Sequence, residues 1–346
     1  KGPVNLISLL GLPIVFLVVG RLMLPIYMRT RVTSAYELLE ENLGVGLRLL
    51  GATMFLALRL VWMTLLVYLA SEAMTVMMGL DAKWIPVVAA VTGVVAVVYT
   101  SLGGLQAVVI TDLLQTVLLF GGALLVLAMV TFDFGGFGWM PTAWHANWDT
   151  QPMLPIEDGA VGFKLRISGL GALLSATIWY IATLGGDQTT VQRFMATKDA
   201  PAARRALATQ LIVGTTVTIT LVFVGFALLG YFEKHIDQLP DAIHLKENAD
   251  KLFPRFIAFH LPIGVSGLVV SAMFAAAMSS IDSGVNSVTA VVLEDYIGRF
   301  RKTEITERSK LKLARLLAFS IGGIVVLSST LMRFIQGNIT EMTGKT

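Results

Sequence analysis

The chain has 346 residues, 55% of them hydrophobic and only 14% charged, with a formal net charge of +3 at pH 7 and a mean hydropathy of +0.75. A soluble domain carries about 25% charged residues, so these values exclude water as the solvent for most of the surface. Cysteine is absent, which excludes a disulfide framework, a Cys-ligated zinc site and a thiol nucleophile, and the small net charge gives no sign of a nucleic-acid partner.

Apolar runs of about 20 residues or more, each long enough to cross about 30 Å of hydrocarbon, recur along the chain and predict an all-α, polytopic bundle in a cell membrane, with the lipid bilayer as its solvent. Position 1 is not Met, and Lys1-Gly2-Pro3 leads almost directly into apolar sequence without a signal-peptide pattern. The chain reads as a piece of something longer. The first span is predicted over Pro3–Tyr27. After it, Thr33-Ser34-Ala35-Tyr36-Glu37 carries a Ser-x-x-Glu capping box, which predicts a short polar surface helix running through Glu40 and Glu41. The next spans are Leu47–Gly79, Trp84–Thr100 and Leu105–Val130. A loop from Thr131 to Gly162 follows, with no Lys or Arg and with Trp139, Trp144 and Trp148 suited to a membrane interface. Leu165–Leu184, Leu207–Tyr231, Ile263–Ile297 and Leu311–Ile335 complete eight spans, all within one transmembrane domain over residues 1–346. Leu47–Gly79 and Ile263–Ile297 exceed the minimum for a crossing, so they tilt or project into water.

Orientation follows from the basic residues, because positive loops stay in the cytoplasm. Arg29 and Arg31, then Arg193, Lys198, Arg204 and Arg205, then Arg299, Arg301, Lys302, Arg308, Lys310 and Lys312 mark three inner loops. The Thr131–Gly162 loop, with Asp133, Asp149, Glu157 and Asp158, is outer.

Polar side chains at membrane depth are costly and mark sites or water-filled cavities. Arg59 lies about 12 residues into its span, about 18 Å along a helix and too deep for easy snorkelling. It either pairs internally with a carboxylate such as Asp112 or Asp187, or its planar fork clamps a substrate carboxylate. Asp112, in Thr111-Asp112-Leu113-Leu114-Gln115, is a structural carboxylate or a cation or proton site. Gly185-Gly186 interrupts an apolar helix just before Asp187-Gln188. Such a break is a packing kink or, where it frees backbone groups near the midplane, a place for ligands. In Ala275-Ala276-Ala277-Met278-Ser279-Ser280-Ile281-Asp282-Ser283, the hydroxyls of Ser279, Ser280 and Ser283 lie on nearby parts of one helix face, with Ala276 one turn above. An oxygen-lined face with little net charge suits a monovalent cation such as Na+.

At these residues the chain resembles the sodium:solute symporter family. Tyr99-Thr100-Ser101-Leu102-Gly103-Gly104-Leu105-Gln106-Ala107-Val108, continuing to Thr111-Asp112 and Gln115, is similar to that family's Gly-Gly-x-x-Ala-Val…Thr-Asp…Gln signature. The Asp187-Gln188…Gln192-Arg193 stretch and the Ser279-Ser280 helix ending in Glu294-Asp295-Tyr296 match in order. The resemblance implies a LeuT-type core of two inverted five-helix repeats, with the eight spans standing as its second to ninth helices and the first and tenth absent. It also implies a sodium site at the Ala276 carbonyl and the Ser279 and Ser280 hydroxyls, and a second sodium site, in members that have one, using Asp112 and Ser283. Asp282 departs from the pattern, where a hydroxyl is common.

The implied activity is sodium-coupled import of a small polar solute. Sugar-carrying members have a Glu near the start of the second core helix and often a Tyr after the Asn-Gln of the sixth. Here the first place is apolar around Leu9 and the second reads Asp187-Gln188-Thr189, which disfavours a simple hexose. Arg59 favours an organic or amino-sugar acid, with Asp187 and Gln188 as further substrate residues. A transporter-like membrane sensor fused to a signalling module is the alternative. An enzyme is not expected, since His145, His235, His244 and His260 fall in outer regions and no HExxH or GxSxG motif occurs.

Overall fold

The computed structural model describes residues 2–30, 34–144, 148, 156–157, 160–161, 168–239, 249–300 and 306–332. Side chains at 2–5, 99–112, 156–157, 160–161, 249–251, 263 and 307 lie outside that description.

The described chain is almost entirely helical. A 3-10 segment, Gly2–Gly11, leads into α1 (Leu12–Leu17), a π segment (Val18–Met23) and α2 (Leu24–Thr30), which together form the first span. Then come α3 (Glu37–Leu43), α4 (Val45–Met77), α5 (Ile85–Asp133), α6 (Gly169–Gly186), α7 (Gln188–Met195) and α8 (Ala200–Lys234). The last helices are α9 (Ala249–His260), α10 (Ile263–Val291), extended by a π segment over Val292–Gly298, and α11 (Glu307–Leu331). A two-residue antiparallel ladder, β1 (Ile156–Glu157) with β2 (Ala160–Val161), pairs Ile156 with Val161 and Glu157 with Ala160.

Seven helical stretches are long and apolar enough to cross a membrane: Leu6–Thr30, Val45–Met77, Leu113–Asp133, Gly169–Gly186, Ala200–Lys234, Gly264–Gly298 and Arg308–Leu331. A shorter apolar helix, Ala82–Val98, supplies the eighth predicted segment. Large apolar side chains lie on their surfaces, including Leu10, Leu58, Leu113, Ile178, Ile212 and Leu316. Water penalises such a surface and lipid does not.

The structure corrects one boundary. A break was expected between Trp84–Thr100 and Leu105–Val130, yet both lie on the continuous 49-residue α5. Gly103 and Gly104 are the only weak helix formers between the two predicted spans. A glycine costs a helix only about 1 kcal/mol relative to alanine, and no proline removes a backbone donor there. At 1.5 Å per residue α5 is about 73 Å long, more than twice the hydrocarbon thickness.

Cα packing separates two compact units, residues 1–49 with 120–253 and residues 50–119 with 254–346. In the first unit the N-terminal span packs against α6 and α8 around Val15, Val19, Leu24, Leu184, Phe194, Ala203 and Leu207. Small residues let these helices approach closely. A Cβ added at Gly11 would strike Thr177, and one at Gly185 would strike Met23.

Only half of the predicted capping box forms. The Ser34 amide donates to Glu37 Oε1 at 3.2 Å, whereas Ser34 Oγ accepts from the Tyr36 amide, one residue short of the expected partner. Ser34 is buried, so the start of this segment is inside the protein, while Glu41, Asn42 and Leu43 are exposed. Arg48 pairs with Glu40 at 2.6 Å and reaches Glu37 at 3.7 Å, tying the start of α4 to α3. Trp139, expected at the interface, is instead buried. Its indole N–H donates to Thr131 Oγ1 at 2.9 Å, and a Cβ on Gly230 would come within 3.2 Å of its own Cβ. Nearby, Asp133 accepts from Lys234 at 2.9 Å and pairs with His235 at 3.2 Å.

In the second unit α10 packs on α11, and α5 meets α11 where Gly93 lies against Val326 and Gly322 against Val97. Thr53 and Tyr296 share a hydrogen bond of 2.6 Å, and Lys310 pairs with Glu294 at 2.7 Å.

From the positive-inside rule the turn around Lys198 is expected in the cytoplasm and the Lys- and Arg-free stretch around Phe137 outside. Both positions are exposed. Single cysteines at Lys198 and Phe137 of the full-length protein, treated with an impermeant maleimide on intact cells, should label at 137 alone. Labelling at 198 alone reverses the topology.

Candidate functional site

Two places hold most of the polar groups that the sequence singles out, and each unit contains one of them. In the first unit α6 stops at Gly186 and α7 starts at Gln188, so the Gly pair does break the helix. Asp187 is the hinge residue, extended at φ −76° and ψ 124°. Its Oδ1 accepts from the Thr189 amide at 2.8 Å, which caps α7. The Gly185 carbonyl at the end of α6 accepts from the Tyr27 hydroxyl at 2.7 Å. Gln188 is 1% exposed, and its Oε1 accepts from the Ala35 amide at 2.7 Å. The break is therefore held in shape by its own polar residues together with Tyr27, a contributor that sequence reasoning missed. A buried Tyr in an apolar span was the available signal, since its hydroxyl needs a partner.

In the second unit the site is built on α10. Ala276, Ser280 and Gly284 follow each other at intervals of four and share one helix face. Ser280 Oγ donates to the Ala276 carbonyl at 3.2 Å, so two of the predicted sodium ligands already touch. Ser279 and Ser283 are largely buried beside them, and the Ser283 carbonyl accepts from Ser287 Oγ at 2.5 Å.

Gly284 brings α4 onto this face. A Cβ there would collide with Met63 and lie 3.2 Å from Arg59 Nε. The missing side chain thus lets the Arg59 guanidinium approach α10 one turn beyond Ser280. Arg59 and the hydroxyl cluster, chosen separately from the sequence, are neighbours in space. Asp112 lies on α5, and its side chain falls outside the described residues, as do the others from 99 to 111. Asp187 and Gln188 belong to the first unit.

The donor set fits a hard monovalent cation. A carbonyl and neutral hydroxyls coordinate Na+ without the charge that Ca2+ needs. Among the described residues no group of three or more His, Asp or Glu is placed to hold a metal ion. Asp282, next to Ser283, is 0% exposed, and neither of its carboxylate oxygens has a hydrogen-bond partner.

A profile of the sodium:solute symporter family matches residues 2–344. A sodium/sialic acid symporter from Proteus mirabilis (strain HI4320) is 30% identical over 225 residues, covering 61% of this chain and 41% of that protein. One from Aliivibrio fischeri (strain ATCC 700601 / ES114) is 28% identical over 334 residues, covering 96% of this chain and 62% of that protein. The chain therefore spans less than two thirds of the length of these relatives. Among solved structures, a substrate-bound, outward-open Na+-coupled sialic acid symporter, described as revealing a novel Na+ site, aligns with a TM-score of 0.79 at 26% identity. That alignment covers 97% of this chain and 69% of the other.

The close contact at Gly284 yields a direct test. Gly284→Ala places a methyl group against Met63 and Arg59 and should destabilise the full-length protein by about 1–3 kcal/mol, the usual range for overpacking a filled interior. Thermal unfolding in detergent measures this, and an unchanged melting temperature contradicts the packing described.

Proposed function

Because the chain belongs to the sodium:solute symporter family, we propose that the protein it comes from is a sodium-coupled symporter that imports an acidic sugar of the sialic acid class. The observation that carries this reading is the meeting of Arg59 with the Ala276–Ser280–Gly284 face of α10. A cation-suited oxygen face and an anion-suited guanidinium lie within one helical turn, which suits a protein that moves a cation and an acid together. The two sialic acid symporters that match the chain support the class of solute.

In this reading Na+ is bound by the Ala276 carbonyl and the Ser279 and Ser280 hydroxyls, and a second Na+ by Asp112 and Ser283. Ser280 Oγ, which donates to Ala276, keeps its lone pairs for the ion, so the hydrogen bond orients the hydroxyl without occupying it. Arg59 presents its planar fork to the solute carboxylate, where Lys offers only a point charge. Asp187 and Gln188 contribute from the α6–α7 break. Asp187 Oδ1 caps α7 and Gln188 Oε1 accepts from the Ala35 amide, which fixes where the two side chains stand at the break.

Solute and ion are coupled because each binds better in the presence of the other, by one shared free energy. Removing one hydroxyl ligand costs about 1–3 kcal/mol, or about 5- to 150-fold in affinity. In the full-length protein, Ser279→Ala and Ser280→Ala should therefore raise the sodium half-saturation of uptake within that range, while saturating sodium largely restores solute affinity. Arg59→Lys should weaken sialic acid binding by about 10- to 150-fold, the worth of a charge-assisted hydrogen bond. Unchanged sodium half-saturation in both serine variants removes the sodium site, and normal sialic acid affinity in the lysine variant removes the clamp.

A further inference from the structure

Three arginines of the first unit are left without a counter-charge. Arg21 stands on the π segment of the first span, and Arg204 and Arg205 stand on the first turns of α8. None of the three makes an ion pair with a described residue. The acidic residue nearest to them in sequence, Asp199, is engaged in capping α8, where its Oδ1 accepts from the Ala202 amide at 2.8 Å. Arg21 and Arg205 are exposed. Arg204 is half-buried, and its Nε–H is buried without a hydrogen-bond partner.

These side chains gather on one side of one helix pair. A Cβ added at Gly20 would lie 3.2 Å from Arg204 Cγ and 3.3 Å from Leu207, so α8 crosses the first span at the residue before Arg21. From there α8 runs back along the span and touches its Gly2–Gly11 segment, which makes the two helices antiparallel. On antiparallel neighbours, a step forward in sequence turns away from the shared contact to the same side on both helices. Arg21, about 100° on from Gly20, and Arg204, about 100° on from the buried Ala203, therefore flank one groove, with Arg205 beyond them. Arg204 and Arg205 lie about 6 and 7.5 Å along α8 from its start, and the headgroup zone on each side of a bilayer is about 5–7 Å deep. Further into the membrane the same surface is apolar. Leu17, about one turn from Arg21, and Ile212, two turns from Arg205, are both exposed and both lie on the side away from the start of α8.

We propose that Arg21, Arg204 and Arg205 form a binding site for the phosphate of an anionic phospholipid, whose acyl chains run over Leu17 and Ile212. A guanidinium fork takes two phosphate oxygens at once, and a phosphate oxygen supplies the acceptor that Arg204 Nε lacks. Basic pockets between membrane helices select anionic headgroups on the cytoplasmic side, which is the side that the positive-inside rule gives to the start of α8. The apolar strip separates a lipid from a free phosphate. Inorganic phosphate meets the same guanidinium groups but gains nothing from Leu17 and Ile212. A lipid held here bridges the first span and α8, the two elements that pack with Leu184 and Phe194 on either side of the α6–α7 break. The inference uses none of the residues assigned to sodium or solute and stands or falls apart from them.

The test uses the purified full-length protein in an uncharged detergent, titrated with dioctanoyl phosphatidylglycerol, dioctanoyl phosphatidylcholine or inorganic phosphate. The melting temperature is followed against ligand concentration, because a ligand that binds only the folded protein stabilises it by mass action. Phosphatidylglycerol should raise the melting temperature saturably, and the other two should act only at higher concentration. Arg21→Gln and Arg204→Gln should each raise the half-saturating phosphatidylglycerol concentration by about 5-fold, the worth of one cation at an anionic surface. Lys83→Gln, at an exposed position paired with Asp81, should leave it unchanged. Arg204→Lys keeps the stem that lies against Gly20 and so covers the case in which the glutamine variant fails to fold. It should still weaken binding, because it loses the fork and the Nε–H. Equal stabilisation by phosphatidylcholine overturns the proposal, as does equal action of inorganic phosphate, which marks an anion site with no place for a lipid. An unchanged half-saturation in both Arg21→Gln and Arg204→Lys overturns it as well.

Discussion

At the depth of a bilayer there is no water to take up a hydrogen bond, so each polar atom is satisfied inside the protein, satisfied by what it binds, or left at a cost of several kcal/mol. Most of the fold obeys the first option. The backbone is helical, hydroxyls such as Ser71 and Thr75 fold back onto carbonyls of their own helix, and Trp139 gives its indole N–H to Thr131. The break between α6 and α7 follows the same constraint. It would leave a carbonyl and an amide bare, and Tyr27 and the Asp187 side chain take them up.

The proposed function rests on the remainder. α10 holds a row of hydroxyls and a buried carboxylate, Asp282, whose oxygens have no hydrogen-bond partner, and α4 brings a guanidinium against it where Gly284 leaves room. Packing and chemistry are joined at that glycine. A larger residue would displace Met63 and push Arg59 away from the oxygen-lined face, so the smallest side chain sets the distance between the cation-suited and anion-suited groups.

The membrane class and most spans were legible in the sequence because apolar length is a strong, local signal. The helix break at Gly185-Gly186 was legible for the same reason, since two glycines precede a polar run that can cap a new helix. The continuity of α5 was not. Gly103-Gly104 reads as a loop in one dimension, whereas a helix in an apolar setting keeps its hydrogen bonds and absorbs the glycines. The serines of α10 were visible from their spacing, and Arg59 from its depth. Their proximity was invisible, because nothing in the sequence says what a glycine on one helix meets on another. Asp187 and Gln188 stood out as polar residues at a break, but their bonds to Thr189 and Ala35 depend on local geometry and on a contact 153 residues away. Asp282 stood out as a departure from a family pattern. That its buried oxygens lack a hydrogen-bond partner shows only in three dimensions.

The central claim is that acid and sodium move together through this fold. It is tested most directly by reconstituting the full-length protein in liposomes and following radiolabelled sialic acid and 22Na in the same vesicles. The account predicts that sialic acid accumulates only under an inward sodium gradient and carries more than one sodium ion inward with each molecule. Accumulation that persists when potassium replaces sodium, or 22Na entry that does not respond to sialic acid, would contradict it.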